Sequence, residues 1–397
     1  MRLLKFSLVF FAAVSCATGD GFSSSAQEPV APARWNESNT VALIDFIQAV
    51  DAHGLRAEDY SAAQLSDALA RRDWVAVDAA ARARFRTLAH DLAVGTPRAV
   101  APAGWRFDAP AIESEEFDAA IETALSTGAI AETLGSFEPR HAAYLALKKS
   151  LTETAGERRE TIRVNMDRWR RMPRDLGASY IFVNIPAFEA AIYSDGEEVA
   201  RHRVIVGARK TPTPQFAALV KGVVFNPTWF VPPSIVAESV GSLLKNSPAK
   251  AQAQGYYVAA DGGVRQRPGP QNALGRMKLV MANPYSVFIH DTPQKRLFDK
   301  DDRALSHGCV RIEGALDFAA TLLRGAFDRA MIDEIVATGA GVTVELDEPL
   351  SVYIGYFTAH PAAEGLAFYD DVYQLDRTHA ASAKYDERRG ECPPDES

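Results

Sequence analysis

The hydrophobic period of the chain changes once, near residue 180, and that change limits the fold more than any other feature. Before it, apolar residues recur three and four apart. Leu43, Phe46, Ile47 and Val50 form one such stripe, opening after Ser38 and Asn39 and stopping at Gly54. Ser61 can cap a second helix carrying Leu65 and Leu69. Phe85, Leu88, Ala89 and Leu92 form a third, ended by Gly95 and Pro97, and Leu145, Leu147 and Leu151 belong to a fourth. That spacing puts apolar residues on one side of a helix. After residue 180 the pattern is that of strands. Tyr180 to Ile185, Glu189 to Ser194, Val199 to Gly207, Lys221 to Phe225, Val287 to His290, Val342 to Leu346 and Ser351 to Tyr356 are the expected ones. Asp195-Gly196 makes a tight turn between the second and third. Helices segregated ahead of strands define an α+β protein. The expected domains are an all-helical unit over 35–160 and a β-rich unit over 161–375.

The ends of the chain read differently. Arg2 and Lys5, the apolar run Leu8 to Val14 and small residues up to Ala26 make an export signal over 1–26. The run is far shorter than the ~20 residues of a membrane span. Cys16 follows Ala13-Val14-Ser15, which offers an alternative: a lipoprotein-type signal whose thiol carries a lipid anchor. Residues 27–34 are a linker, and 376–397 a flexible polar tail containing Cys392. The expected location is outside the cytoplasm, in the periplasm or cell envelope. Between Phe230 and Gly275 lies a long stretch with several Pro and Gly, expected to be a lid at about 230–275.

Charge narrows the partners. The chain has 43 Lys+Arg against 51 Asp+Glu, a net −8, whereas a nucleic-acid protein carries a basic field. No nucleic acid is expected; the oligomeric state is not legible. Three cysteines, Cys16, Cys309 and Cys392, are too few for a disulfide framework or a cysteine-rich zinc site. Each thiol needs its own explanation. His53, His90 and His141 are isolated and receive no role.

One segment carries chemistry: His290-Asp291-Thr292-Pro293, then Ser306-His307-Gly308-Cys309-Val310-Arg311. A cysteine nucleophile needs a base, an oxyanion site and a means of orienting the base. Cys309 is the candidate nucleophile and His290, at the end of an apolar strand, the candidate base. Gly308 lets the backbone approach a substrate, so the amides around Gly308 and Cys309 can hold an oxyanion. A helix starting a few residues later would favour thiolate if its N-terminus points at the sulfur. Two other readings compete. A metal site of His290, His307 and Cys309 lacks a fourth ligand and CxxC spacing. A buried structural cysteine poorly explains a thiol flanked by His and Gly in a loop rather than by a periodic apolar pattern.

The pattern of His290, fifteen intervening residues and then the SHGCVR run resembles the signature of the YkuD-type L,D-transpeptidases. IFVNIP (181–186), VIVG (204–207), NPTW (226–229) with Val231-Pro232, NALG (272–275), HDTP (290–293) and Arg303-Ala304 match as well. Trp35, His53-Gly54-Leu55, Asp59-Tyr60 and Leu88 to Gly95 resemble the scaffold of the large YcbB-like subclass. The resemblance implies a β-sandwich catalytic domain with a capping lid, acting on peptidoglycan peptide stems without metal or organic cofactor. It implies Cys309 as acylated nucleophile, His290 as base, the Asp291 carbonyl orienting that base, and His307 shaping the site. Arg311, Ser306, Trp229 and Asn272 become substrate contacts. Cross-linking of stems is the implied reaction, with carbapenems as acylating agents. Hydrolysis by an L,D-carboxypeptidase, exchange of the terminal D-amino acid, protein anchoring or release, and an inactive wall-binding scaffold remain alternatives. Two departures stand out. The peptidoglycan-binding insert of YcbB-like enzymes is replaced by a short polar stretch, Thr152 to Glu160. Phe288 stands where relatives often carry Tyr.

Overall fold

The computed structural model describes residues 34–96, 104–108 and 110–376. The expected signal segment with Cys16 and the expected tail with Cys392 lie outside the described residues.

Five helices build the first unit: α1 (Glu37–Ala49), α2 (Ala63–Ala70), α3 (Trp74–Val94), α4 (Ser114–Thr127) and α5 (Ile130–Gly135). α1 starts ahead of the expected Ser38/Asn39 because the Asn36 side chain accepts the Asn39 N–H at 2.8 Å. The expected stripes Leu43, Phe46, Ile47 and Phe85, Leu88, Leu92 meet in one core with Ile121 and Leu134 of α4 and α5. Neither α4 nor α5 was expected.

Two further helices, α6 (Ala142–Leu151) and α7 (Gly156–Arg170), join this unit to the sheet. The border expected at 160/161 falls inside α7 and needs correction. Ile162, Met166 and Trp169 of that helix pack on Tyr144, Leu147 and Leu151 of α6, and also on Phe182, Tyr353 and Phe357 of the sheet region. Trp169 stacks on Phe182 (centroids 5.8 Å apart, 9° between planes) and on Phe357 (4.7 Å). A helix with apolar contacts on both sides cannot be cut between them.

The strands of the second unit are β1 (Tyr180–Asn184), β2 (Glu189–Ser194), β3 (Glu197–Gly207) and β4 (Phe216–Phe225). After the flap strands β5 (Trp229–Phe230), β6 (Tyr256–Val258) and β7 (Val264–Gln266) come β8 (Met277–Met281), β9 (Ile289–His290), β10 (Ala304–Ser306), β11 (Val310–Ile312) and β12 (Val342–Gly355). The main sheet runs β10-β3-β11-β9-β8-β4-β12-β1-β2, and β2 also pairs with β3. That last pairing closes the sheet into a ring, joining the two layers of the expected sandwich. Alternation sorts the side chains. Ile181 and Val183 enter the ring core with Val204, Leu279, Ile289 and Val310, while Phe182 points out toward α7. Two expected strands at 342–346 and 351–356 are one. The polar Asp347 and Glu348 sit where the register with β4 shifts, between Glu345 and Leu350.

The stretch from 230 to 275 is not an open loop. It holds short helical turns from Pro233 to Ala253 and a three-stranded sheet, β5-β7-β6. Among the described residues no helix is long and apolar enough to cross a membrane.

Candidate active site

Strands β8, β9 and β11 are neighbours in the ring. Register places Lys278 opposite His290, and His290 opposite Arg311. Their neighbours Leu279, Ile289 and Val310 all face the ring core, so Lys278, His290 and Arg311 form a row on the outer face. Cys309 lies two residues before Arg311, just ahead of β11.

His290 is buried, and its Nδ1 lies 2.5 Å from the Asp291 carbonyl oxygen. Donation from Nδ1–H to that carbonyl fixes the ring and leaves Nε2 as the acceptor. Burial first, then the Arg311 and Lys278 charges, pull the imidazole down to about 4, against the pull of Asp291. It is therefore neutral at pH 7.

Asp291 does more than present a carbonyl. Its N–H donates to Met277 O (2.9 Å), and its carboxylate accepts the Arg276 N–H (2.8 Å) and pairs with Lys295. Gly275 makes room for it: a Cβ there would lie 2.4 Å from that carboxylate, and φ is +63°. The close approach accounts for the glycine of NALG.

Cys309 is half-buried. Burial pushes its thiol up, while the Phe288 backbone, Arg311 and Lys278 pull it down, leaving it above the usual thiol range. The resting pair is thus neutral thiol and neutral imidazole. The loop before it is braced internally. Ser306 Oγ donates to Cys309 O (2.5 Å), the Gly308 N–H donates to Ser306 Oγ (3.1 Å), and Thr213 Oγ1 donates to Gly308 O (2.8 Å). Gly308 holds φ +112°, which a side chain would strain, although a Cβ would find ordinary space.

These bonds correct several expectations. The Gly308 amide, expected as an oxyanion donor, is taken by Ser306 Oγ. The Ser306 hydroxyl holds the loop rather than facing substrate. Asn272 is 1% exposed, its Nδ2 donates to Pro227, Gln266 and Arg267 carbonyls, and its Oδ1 accepts the Leu274 N–H. It fastens the flap to the NPTW segment and offers nothing to a ligand. The helix after the motif, α8 (Ala315–Leu322), does not serve the thiol. Its N-cap Gly314 sits by His202, and Phe318 enters the ring core, on the other face of the sheet.

His307 is exposed, with Nε2 3.1 Å from Glu238 Oε2 on the flap. Trp229 lies on the flap strand β5, opposite Gln266, with its ring 6.4 Å from that of Tyr256. Arg311 binds Gln294 Oε1 through Nη1 (2.8 Å), and its buried Nε has no partner among the described residues. Lys278 is the member of the row that sequence reasoning missed. Its Nζ lies 4.4 Å over the Phe288 ring, and burial lowers its pKa while Cys309 raises it. The alternation Met277, Leu279, Met281 around it was the available signal. Among the described residues no group of three or more His, Cys, Asp and Glu could hold a metal ion.

Comparison with known proteins adds the following. Residues 178–341 match the YkuD family model, described as the L,D-transpeptidase catalytic domain, and residues 32–151 match the Scaffold domain model. A Haemophilus influenzae protein named "Putative L,D-transpeptidase" is 29% identical over 218 residues, covering 50% of this chain. The match spans 44% of that relative, less than half its length. Among solved structures, the chain is similar to the Enterococcus faecium L,D-transpeptidase catalytic domain acylated by ertapenem, with 15% identity and TM-score 0.24, covering 45% of this chain and 96% of that one. An L,D-transpeptidase from Mycobacterium smegmatis gives 15% identity and TM-score 0.25, covering 45% and 58%.

Proposed function

We propose that this chain, whose residues 178–341 match the L,D-transpeptidase catalytic domain model and 32–151 the Scaffold domain model, cross-links peptidoglycan stems through a thioester on Cys309. The observation that carries the reading is the neutral His290, clamped on the Asp291 carbonyl between Lys278 and Arg311. His290 Nε2 takes the thiol proton as Cys309 sulfur attacks the carbonyl between the L-centre and the terminal D-residue of a tetrapeptide stem. The sulfur–carbon bond forms, the C–N bond breaks, and the proton passes from imidazolium to the departing amine. An acceptor amine then attacks the thioester, gives up a proton to His290, and releases the thiol.

The resting thiol is protonated, so the negative charge appears only during attack. Lys278 and Arg311 are then already in place to stabilise it, and the Cys309 amide serves the oxyanion. The unpartnered Arg311 Nε suits a stem carboxylate. The flap over 230–275 acts as the lid, pinned by Glu238 on His307. The enzyme works outside the cytoplasm, where its polymer lies, either free after loss of residues 1–26 or held by a lipid on Cys16. Preference for an amine over water rests on the resemblance to the scaffolded subclass.

Incubation with tetrapeptide-stem muropeptides tests this. Cross-linked dimers with loss of one terminal D-residue are expected. Tripeptide monomers without dimers would make the enzyme an L,D-carboxypeptidase, and no product together with no mass gain from a carbapenem would leave only a wall-binding scaffold.

A further inference from the structure

Around the ring from Cys309, beyond β3, the chain holds a concave site. Its cavity of about 350 Å³ has Trp169 and Phe182 in its lining, Tyr180 and Tyr193 beside them, and Glu198 and Arg201 at its edge. The start of α6 forms one wall, and the hairpin of β13 (Ala359–Ala362) and β14 (Gly365–Phe368) the other. A shallower hollow continues past Arg201 to Glu189 and Tyr369, which makes the feature an elongated groove. Pockets of this size and aromatic content, with a few convergent polar groups, are those that take small ligands.

Its chemistry narrows the ligand. Arg201 is held by Glu198 (2.7 and 2.5 Å) and Glu189 (2.5 Å), so two carboxylates surround one guanidinium. Burial draws His360, also in the lining, down to about 4, so it adds no charge at pH 7. A polyanion is repelled by that balance. A neutral, hydroxyl-rich ligand with apolar C–H faces finds aromatic rings for its faces and a carboxylate–guanidinium pair for its hydroxyls.

Two observations tie the groove to the reaction. Residues 141–143 fall within the scaffold match and Tyr180 to Arg201 within the catalytic match, so neither unit forms the groove alone. Strand β3 runs from Arg201 at the groove to Gly207, which pairs with Ser306 of the catalytic loop. Six residues of strand cover about 20 Å. An extended four-residue stem spans roughly 14 Å, and the sugar it hangs from adds several more.

We propose that this groove binds the glycan strand carrying the stems, with a neutral N-acetylated amino sugar against the aromatic lining and its hydroxyls on Glu198 and Arg201. The inference rests on the peptidoglycan reading above. The test is equilibrium binding of soluble, stem-free glycan strands to the full chain, followed by tryptophan fluorescence. Saturable binding is expected for the natural sequence. Ala362→Arg, an exposed hairpin position whose new side chain enters the mouth, and Tyr193→Ala should each bind about ten-fold more weakly, the loss of roughly one aromatic contact. Both should form the carbapenem adduct at Cys309 at the unaltered rate. Absence of saturable binding, equal binding by Ala362→Arg, or preference for a poly(glycerol phosphate) chain would overturn the proposal. The two readings fail separately: glycan binding without adduct or product sinks the transpeptidase, and product without glycan binding sinks the groove.

Discussion

The outer faces of β1–β12 and of β9–β11 belong to the same closed sheet and have opposite fates. Behind both lies the same ring core, with Ile181, Val352, Ile289 and Val310 pointing inward. On β1–β12 the outward residues are Phe182 and Tyr353, and α7 brings Trp169 down on them with Phe357 alongside. On β9–β11 the outward residues are His290, Cys309 and Arg311, with Lys278 from β8. Strand alternation alone does not decide between these outcomes. What decides is the cover that arrives from elsewhere in the chain. Helix α7 therefore has a mechanical purpose: it covers much of the apolar outer face of β1–β12, while the polar face of β9–β11 stays free for chemistry. Stability should reside at one face and reactivity at the other, and substitutions can break that division.

The largest effects belong to the open face. Cys309→Ala should give no carbapenem adduct by intact mass and no dimer from muropeptides. His290→Gln should slow acylation by about 10²–10⁴-fold, the usual worth of a general base. Neither should lower Tm much. A His held near pKa 4, below its ordinary 6.5, makes no favourable ion pair. The unfolded chain takes up a proton at this residue as pH falls from 6.5, and the folded chain does so only near 4. Its share of stability is thus present above pH 6.5 and lost toward pH 4. Urea titrations should show a flatter pH dependence of stability for His290→Gln across that window. An unchanged dependence would mean the imidazole is not held neutral.

The covered face should respond in the opposite way. Phe357 is fully buried between Trp169 and Phe182. Phe357→Ala should cost ~3–5 kcal/mol in denaturant unfolding, because the aromatic stack cannot collapse into the space. Below its lowered Tm the variant should acylate at the unaltered rate. A parallel loss of acylation rate would show that the two faces are coupled through the ring and break the comparison.

The same contrast explains what was legible in the sequence. Helices α1 and α3 and the strands β1 to β3 were readable because one face of each is apolar at a regular period. The Cys309 and His290 pair was readable from residue type and spacing. The border at 160 was misplaced because α7 carries apolar residues toward two partners, Tyr144 and Phe182, and periodicity names no partner. Ser306 and Asn272 were read as substrate contacts because a motif gives residue type but not bonding. Only the structure shows their polar atoms taken up by the Cys309 carbonyl and the Pro227 carbonyl. Lys278 escaped because its significance is a matter of register: ten or more residues separate it from His290, and the ladder puts them side by side.

That register makes Lys278→Met the most discriminating of the smaller tests. The Lys278 charge lowers the pKa of both His290 and Cys309. Its removal should move the acid limb of the acylation profile upward from about 4 toward the ordinary histidine range, and should raise the thiol as well. A one-unit rise takes the neutral fraction of His290 at pH 5 from about nine-tenths to about a half, so the rate should then fall by about 2-fold at pH 5, and by less at pH 7.5. Lys278→Arg keeps the charge and the cation–π contact with Phe288 and should keep the profile. Packing and charge are separated by shape rather than size. If Lys278→Met slows acylation by the same factor at every pH, the lysine merely props Phe288, and the open face owes its chemistry to His290 and Arg311 without it.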